Sequence, residues 1–520
     1  MAIFNLNDPE LIEPGQGEPE PSPPAGPRFP FKPALTIVVF VAALVGWRLY
    51  VDHGKGLDPA IFWETFRLTW PHPPAPVVPK TPTVQANANG KLPQVSAVFA
   101  DDSNSLDPFF AALWNLEQRK LGLTNPAQSQ PGPDPASVGV VTVLHYGDSP
   151  TTADLITGDV RSQLQERFGD AGRGYTLIAK PWAWYGHRGV EISDHGWKIR
   201  HGVGLMREGI YGLGGAAFEG QSGAWSKFRL TESQQSAVNV EYLAKPGGGT
   251  FAVEADDSQL AEQTTDSGTQ SALSLHVELP PGTKIVSIRP TSGNVTLFGA
   301  DFRRGTTGLL YDSLGLNGAT TSVVARVLQP AIWKQELDHA APALVVINYG
   351  SNESSFGAFV HKQYAGELRL AIQRVRANAP EASILIMSPM DRGERSGLDE
   401  IQTMATIPEI VAIQRQVAAE THVAFFDTYD AMGGDGTMAR WYAASPRLVT
   451  ADLLHPTPQG ATIVATLCVE QLGLGYNRWT TQHGIALPAP STTVTPKADS
   501  TAKPKSKPAV KHTGKKAREK

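Results

Sequence analysis

One serine stands where an apolar run gives way to a helix-like segment, a position that suits a nucleophile. The stretch "VVTVLHYGDSPTTAD" leads from a buried-strand pattern into Gly147, Asp148 and Ser149. Backbone N–H groups at such a turn can stabilise the negative charge that forms during acyl transfer. Ser, Thr and Asp are also common helix N-caps, so this tripeptide alone does not separate a nucleophile from a cap.

Three later segments carry residues that could complete the chemistry. Gly318 lies in an Asn-Gly turn, Asn352 follows the apolar run "ALVVINYG", and Asp452 precedes His455 by three residues. A serine hydroxyl needs a base to take its proton, and His455 can do so while Asp452 orients its imidazole. The N–H groups of Ser149 and Gly318 and the side-chain amide of Asn352 could then form an oxyanion hole.

Alternatives remain open for several of these residues. His145 and Asp148 are nearer to Ser149 in the chain, although His145 lies within a strand pattern in which side chains alternate between faces. Asn352 and Asp452 could instead be capping residues. The single cysteine, Cys468, sits in an apolar run and is interpreted as a core residue. Because no His, Cys and Asp cluster has the spacing of a structural zinc site, neither a metal nor a cofactor is predicted.

The elements that must position these residues alternate between strand and helix patterns. Apolar residues recur every four positions from Ile156 to Phe168, which predicts a helix after the serine. Strand patterns at 343–350, 383–388 and 423–427 alternate with helix patterns up to a last helix at 460–473. This order predicts an α/β fold with a parallel sheet flanked by helices on both faces, of the flavodoxin-like kind.

Residues 196–304 interrupt that alternation. They are rich in Gly, Ser and Thr and contain short alternating runs such as "SAVNVEYLA" and "GTFAVEA". Such runs are typical of antiparallel strands. We therefore predict a β-sandwich module inserted between two parts of the α/β domain, 101–195 and 305–480.

The composition and the ends of the chain suggest a tethered protein. The chain has 520 residues, 41% of them hydrophobic. Its net charge of −5 argues against a nucleic-acid-binding protein. Residues 34–51 form an apolar run of bilayer-spanning length, interpreted as a transmembrane signal-anchor helix. Together with Arg28 and Lys32, this predicts an inner (cytoplasmic) membrane protein with its catalytic domain in the periplasm or otherwise outside the cytoplasm. The flanking segments are predicted to be a disordered cytoplasmic tail (1–33), a Pro-rich linker (52–100) and a disordered basic tail (481–520).

The order Gly-Asp-Ser, Asn-Gly, Gly-x-Asn and Asp-x-x-His resembles the SGNH (GDSL-like) hydrolases. The resemblance covers residues 136–475 apart from the insert. It implies a Ser149, Asp452 and His455 triad, and an oxyanion hole that includes Gly318 and Asn352. Further stretches, such as "GRGYTLIAKPWAWYGHRGVEI", look like the peptidoglycan O-acetylesterase branch, whose members remove acetyl groups in the periplasm and carry an inserted carbohydrate-binding-like module.

The narrower resemblance implies an acetylated polysaccharide substrate, most readily peptidoglycan. Pro150 and Glu353 depart from the residues expected after the serine and the asparagine, His and Asp respectively, and this bears on the substrate more than on the reaction. Trp182, Trp184 and Tyr185 are candidate sugar-binding residues, with packing in the core as the alternative. An acetyl transfer to a wall or secreted polysaccharide, and a non-catalytic glycan-binding assembly protein, are the two other functions considered; protein partners are not predicted.

Overall fold

A computed structural model describes residues 98–122, 139–204, 209–232, 234–396 and 400–485. All of these lie in one compact unit, Gln85–Lys520. The predicted tail 1–33, the predicted membrane segment 34–51 and most of the linker and of the basic tail lie outside the described residues.

The bounds of the elements are as follows. In chain order, the strands are β1 (Phe99–Ala100), β2 (Val140–Gly147), β3 (Gly172–Leu177), β4 (Val190–His195), β5 (Lys198–His201), β6 (Ala216–Gly220), β7 (Trp225–Leu230), β8 (Ala237–Ala244), β9 (Thr250–Ala255), β10 (Ser258–Thr264), β11 (Ser271–Glu278), β12 (Ile285–Ser292), β13 (Val295–Arg303), β14 (Gly308–Gly315), β15 (Pro342–Asn348), β16 (Ser383–Met387), β17 (Gly393–Arg395), β18 (Ile401–Thr403) and β19 (Ala424–Phe426). The α-helices are α1 (Asp107–Lys120), α2 (Ser149–Thr152), α3 (Leu155–Phe168), α4 (Pro330–Ala340), α5 (Gly357–Lys362), α6 (Tyr364–Asn378), α7 (Thr406–Thr421), α8 (Thr428–Ala431), α9 (Thr437–Ala443) and α10 (Pro458–Gln482). A π-helical turn spans Val323–Val327 and a 3-10 turn spans Glu353–Ser355.

The central sheet has the order β1-β19-β16-β15-β2-β14, and only β1 at its edge runs antiparallel to its neighbour. Strand β2 lies between β14 and β15, and its last residue, Gly147, pairs with Gly315 on one side and Asn348 on the other. Because these three strands end at the same edge, the loops that follow them are brought together. The α/β part of the predicted fold is confirmed.

Both faces of this sheet are buried under helices, which is why its strands are apolar at almost every position. Along β2, Val143 packs into a core formed with α1, α3 and α10, while Leu144 packs into the core on the opposite face. Successive side chains of a strand point to opposite faces, so a continuous apolar run supplies both cores. The sheet is thus held rigidly on each side of the edge at which the loops converge.

The β-rich region forms two further sheets, with the orders β10-β9-β12-β7-β4 and β11-β8-β13-β6-β5, and β3 also pairs with β13. Strands β3 and β4 precede residue 196, so these sheets take in chain from Gly172 onward. Their core is continuous with one core of the central sheet: Val238 and Phe251 belong to the same buried cluster as Trp333 of α4. The module therefore shares a continuous hydrophobic core with the α/β part of the chain.

The predicted fold class is corrected in one respect. Its transmembrane helix, residues 34–51, lies outside the described residues, and none of the helices that the structure describes is long and apolar enough to cross a membrane. The longest of them, α10, buries residues such as Cys468 and Trp479 in the core and carries polar residues elsewhere. The fold class that included a membrane helix and the inner-membrane localisation derived from it are therefore wrong as stated, and neither is pursued further.

Candidate active site

Three predicted catalytic residues meet at the edge where β2 ends. His455 Nε2 lies 2.7 Å from Ser149 Oγ, and His455 Nδ1 lies 2.6 Å from Asp452 Oδ2. Ser149 is the first residue of α2, directly after the strand, and its side chain is almost fully buried. The imidazole can accept the serine proton at one nitrogen while its other N–H is held by a carboxylate.

The loop between residues 449 and 456 sets the orientation of this histidine. A bridge joins Val449 to Pro456, and the Thr450 N–H donates to the His455 carbonyl at 2.9 Å. Leu453 has a left-handed backbone (φ +60°), a conformation that costs a non-glycine residue about 1–2 kcal/mol. This reversal lets the Asp452 carboxylate face the backbone of the residues that follow it.

The Asp452 carboxylate is held ionised by these contacts. Burial acts to raise its pKa, but hydrogen bonds from Thr450, from the His455 side chain and from the Leu454 and His455 N–H groups outweigh it and lower the pKa to about 2. An ionised carboxylate fixes the tautomer of His455 that leaves Nε2 free to accept the proton of Ser149.

The candidate oxyanion-hole residues follow three adjacent strands. Ser149 begins a helix, so its N–H has no intrahelical acceptor, and the Gly318 N–H has no acceptor within the described residues. The Asn352 amide donates to the Ala319 carbonyl at 2.8 Å and approaches Asp148 Oδ2 at 3.4 Å. Asn352 thereby ties the residue next to Gly318 to the residue next to Ser149. Gly318 has φ +76°, a backbone conformation that favours glycine.

His145, the alternative base, lies below this edge and is 1% exposed. Its Nδ1 lies 2.7 Å from the Tyr311 hydroxyl and its Nε2 lies 3.3 Å from Asn348 Oδ1. Burial lowers its pKa to about 4, so it stays neutral at ordinary pH. Both of its nitrogens are engaged within the core, and neither has Ser149 as a partner.

Asp148 and Glu353, which precede the serine and follow the asparagine respectively, are both buried acids, and their burial was not predicted from the sequence. Burial, followed by repulsion from Glu353, raises the pKa of Asp148 to about 7. Burial likewise raises the pKa of Glu353, which accepts hydrogen bonds from the Thr321 N–H and hydroxyl and from the Gly350 N–H. Glu353 therefore joins the loop that carries Asn352 to the loop that contains Thr321, after Gly318. Its side chain is one methylene longer than that of the aspartate expected at this position.

Only one of the three candidate sugar-binding aromatics lies at the surface beside this site. Trp184 is 56% exposed, and its indole N–H donates to Asn317 Oδ1 at 3.3 Å, next to Gly318. Trp182 packs against the core and the His201 ring. Tyr185 is buried, with its hydroxyl accepting from the Leu177 N–H at 2.9 Å. Trp184 is thus the aromatic that a substrate can reach.

Contacts that support the serine turn also lay beyond the sequence reasoning. Asp154 is fully buried with Arg161 and accepts from the Arg188 N–H at 2.8 Å, so it ties α3 to the segment that carries Trp184. Arg392 donates to the Ser351 carbonyl at 2.7 Å. The repeated polar residues of "GDSPTTAD" were a usable signal for Asp154, whereas nothing near Arg392 in the sequence marks it.

The sequence model of the GDSL-like Lipase/Acylhydrolase family matches residues 266–463. The match includes Gly318, Asn352, Asp452 and His455 but not Ser149, because the β-rich module separates the serine from the other segments. The contact between Ser149 and His455 unites the unmatched and matched parts of the site. No curated protein sequence matches the chain.

One solved structure shares the fold at a TM-score above 0.5, and two others are similar at lower scores. A structure titled as a peptidoglycan O-acetylesterase in action is 19% identical, with a TM-score of 0.57, over 72% of this chain and 98% of its own. A family two carbohydrate esterase from Clostridium thermocellum is 15% identical, with a TM-score of 0.24, over 54% of this chain and 96% of its own. The YxiM protein from Bacillus subtilis is 13% identical, with a TM-score of 0.28, over 60% of this chain and 99% of its own. The predicted resemblance is confirmed: the chain carries a GDSL-like acylhydrolase domain and is an enzyme that hydrolyses ester bonds.

Proposed function

We propose that this acylhydrolase is a serine esterase that removes O-acetyl groups from a cell-envelope polysaccharide, most readily peptidoglycan. The observation that carries the proposal is the continuous chain of contacts from Asp452 through His455 to Ser149, at 2.6 and 2.7 Å. A structural role does not need all three residues in this order at the end of a buried strand. The arrangement argues against a purely glycan-binding protein.

In the first half of the proposed reaction, Ser149 Oγ attacks the acetyl carbonyl carbon as His455 takes its proton. The carbonyl oxygen becomes an oxyanion that the N–H groups of Ser149 and Gly318 and the amide of Asn352 can stabilise. When the tetrahedral intermediate collapses, the sugar oxygen leaves and receives the proton from His455. The product is the free sugar hydroxyl and an acetyl ester on Ser149.

In the second half, water replaces the sugar. His455 takes a proton from the water molecule, whose oxygen attacks the acetyl-enzyme carbonyl at the same oxyanion site. The Ser149 oxygen then leaves with that proton, and acetate is released. Each cycle consumes one ester and one water and yields one alcohol and one acetic acid.

The substrate class is supported by two independent features. The structure that shares this fold at a TM-score of 0.57 is titled a peptidoglycan O-acetylesterase. Beside the serine, Trp184 offers an exposed aromatic face, which is the kind of surface on which a sugar ring packs. The segment that bears it belongs to the β-rich module and donates from Gly186 N–H to the Thr152 carbonyl of α2 at 3.2 Å. We therefore propose that the module contributes to polymer recognition next to the catalytic serine.

Acetate release from the purified full chain tests this proposal. The substrates are a small aryl acetate, O-acetylated peptidoglycan and an acetylated plant polysaccharide, and the control is Ser149→Ala. We expect the wild type to act on the aryl acetate and to prefer peptidoglycan over the plant polymer. Hydrolysis of the aryl acetate without acetate release from peptidoglycan would reject the substrate but not the reaction. Transfer of acetyl to an added glycan, rather than to water, would favour the transferase function instead.

Point substitutions test polymer recognition better than deletion of the module, because β3 and β4 pair with module strands and share its core. Trp184→Ala is expected to raise KM for O-acetylated peptidoglycan several-fold and to leave turnover of the aryl acetate near the wild-type value. Leu273→Ala, at another exposed apolar position of the module, is the matched control. Equal loss on both substrates with Trp184→Ala would show that this residue supports the site itself rather than the polymer.

A further inference from the structure

A second group of ionisable residues lies away from the serine, where the β-rich module meets helix α4. Glu241 belongs to β8 of the module, and Glu336 and His339 lie three residues apart on α4. Each offers one ligand atom, and these three atoms all lie within 4.8 Å of one another. The ligands come from parts of the chain about a hundred residues apart, so no local spacing marks them in the sequence.

One carboxylate oxygen of this group is buried without a partner. Glu336 is 2% exposed; its Oε2 accepts from the Leu213 N–H at 2.6 Å, while its Oε1 has no hydrogen-bond partner among the described residues. Both Glu residues and His339 line a cavity of ≈ 20 Å³. That volume holds about one water molecule or one ion. A buried oxygen without a partner costs about 1–3 kcal/mol, so an occupant that binds it is favoured.

The cavity also carries more negative than positive groups. Four carboxyl groups line it, those of Glu241, Asp301, Asp312 and Glu336, against Arg303 and His339. Arg303 is already paired with Asp301, at 2.6 Å. A bound cation would balance this excess of carboxyl groups.

The spacing and chemistry of the ligand atoms favour one class of cation. His339 Nδ1 lies 3.3 Å from Glu241 Oε2. Two ligands of a tetrahedral Zn²⁺ at about 2.1 Å from the metal are separated by about 3.4 Å, so this pair needs almost no movement. The Glu336 ligand atom lies within 4.8 Å of both of these atoms. An imidazole with two carboxylates suits Zn²⁺ or a similar transition metal, whereas Mg²⁺ and Ca²⁺ prefer oxygen ligands alone.

We propose that Glu241, Glu336 and His339 bind a divalent cation of the zinc class, with water as the fourth ligand. Such an ion would join the module to α4. That helix contacts the strand before the nucleophile, because the Trp333 indole N–H donates to the Tyr146 hydroxyl at 2.9 Å. None of the three proposed ligands forms a hydrogen bond with Ser149, Asp452 or His455 among the described residues, so the proposal assigns the ion no part in ester hydrolysis.

Metal binding to the tag-free full chain tests the site. After dialysis against a chelator, the protein is titrated with ZnCl₂ by calorimetry and separately with CoCl₂, whose visible bands report a four-coordinate site. We expect one equivalent to bind at micromolar protein and Tm to rise by about 3 °C or more. Glu336→Gln and His339→Ala should each weaken binding at least about 100-fold, since each removes a ligand.

The matched control is His276→Gln. His276 also contacts a glutamate, Glu278 at 3.1 Å, but at the surface and without a third ligand. It should bind the metal as the wild type does. Turnover of an aryl acetate by each variant checks that the fold is intact. Absence of stoichiometric binding by the wild type, or full binding by folded Glu336→Gln, would overturn the proposal and leave Glu241, Glu336 and His339 as a polar cluster without a metal.

Discussion

Two small regions on either side of Ser149 each contain one histidine and one aspartate, and they differ in almost every other respect. The rim, residues 450–455, carries Asp452 and His455, both well exposed. The floor, residues 145–148, carries His145 and Asp148, both nearly fully buried. The pKa is about 2 for Asp452 and about 7 for Asp148. Asp452 is thus the ionised partner of the catalytic histidine, whereas Asp148 can stay neutral.

Burial, a neighbouring acid and the hydrogen-bond donors together explain the difference in pKa between the two aspartates. Asp452 faces two backbone N–H groups, a hydroxyl and an imidazole. Asp148 is almost fully buried near another acid, Glu353, and its donors are Ser351 and the Asn352 amide at 3.4 Å. Each donor favours the ionised form, while burial and a like charge favour the neutral one. The rim is therefore built to transfer protons, and the floor is built to hold the oxyanion residues in place.

Substitution of the rim histidine gives the largest expected loss of activity, and substitution of the floor histidine is its control. Among the described residues, His455 is the one histidine in hydrogen-bond contact with Ser149 Oγ, so His455→Ala should lower kcat for an aryl acetate by about 10⁶-fold. His145→Gln should keep activity within about tenfold and instead lower the free energy of unfolding, because it disturbs the buried contacts to Tyr311 and Asn348. A comparable loss of turnover in folded His145→Gln would contradict the assignment of His455 as the base and of His145 as a structural residue.

Neutralising the rim carboxylate comes next. Asp452→Asn keeps the shape of the side chain but removes the charge that fixes the His455 tautomer, and should lower kcat about 10⁴-fold. Thr450→Val removes one donor to Asp452 and serves as the milder companion, with a loss of about tenfold or less. If Asp452→Asn retained more than a tenth of the activity, another group would have to orient the imidazole.

The oxyanion amide is expected to matter less than the triad. Asn352→Ala removes one donor and should lower kcat by about 10²–10³-fold with little change in KM, because the contact is made mainly in the transition state. Asn317→Ala is the neighbouring control, since its side chain contacts Trp184 rather than the serine turn. A rise in KM at constant kcat in Asn352→Ala would indicate that this amide binds the ground state instead.

Sequence patterns predicted the parts of the molecule that depend on periodicity and order. The alternation of strands and helices predicted the α/β sheet, and four short motifs in order predicted Ser149, Gly318, Asn352 and the Asp452–His455 pair, which the structure brings to one edge. What they missed depends on contacts between distant segments. The burial of Asp148, the link from Glu353 to Thr321 and the pairing of β3 with β13 arise only when remote chain segments pack together.

The N-terminal apolar run shows a different limit of sequence reasoning. Length and hydropathy alone led to a membrane helix at 34–51, a segment outside the described residues, and no helix in the described ranges has the character of a membrane span. Within the candidate site, the aromatic cluster "PWAWY" shows a related limit. Composition could not tell Trp184 from Tyr185, although one is exposed and the other is buried, because exposure is decided by the strands that flank them.

The smallest effect expected is a change in how stability depends on pH when the floor aspartate loses its charge. Burial first, and Glu353 second, raise the pKa of Asp148 to about 7, above its unfolded value of 3.8. Between these two values the native state binds more protons than the unfolded state, so this group makes the wild type less stable as pH rises toward 7. Asp148→Asn removes that contribution, while Glu353, whose pKa burial also raises, is present in both proteins. The free energy of unfolding of the variant relative to the wild type should therefore increase from pH 5 to pH 8, by on the order of 2 kcal/mol.

Urea unfolding at the two pH values measures this change, and Asp452→Asn is the matched control from the rim. Because the pKa of Asp452 is lowered rather than raised, its stabilising contribution is already fully present at pH 5, and the difference between that variant and the wild type should stay constant over this range. A constant difference for Asp148→Asn as well would mean that the floor aspartate is ionised throughout, and the contrast between the two regions would then be one of exposure alone.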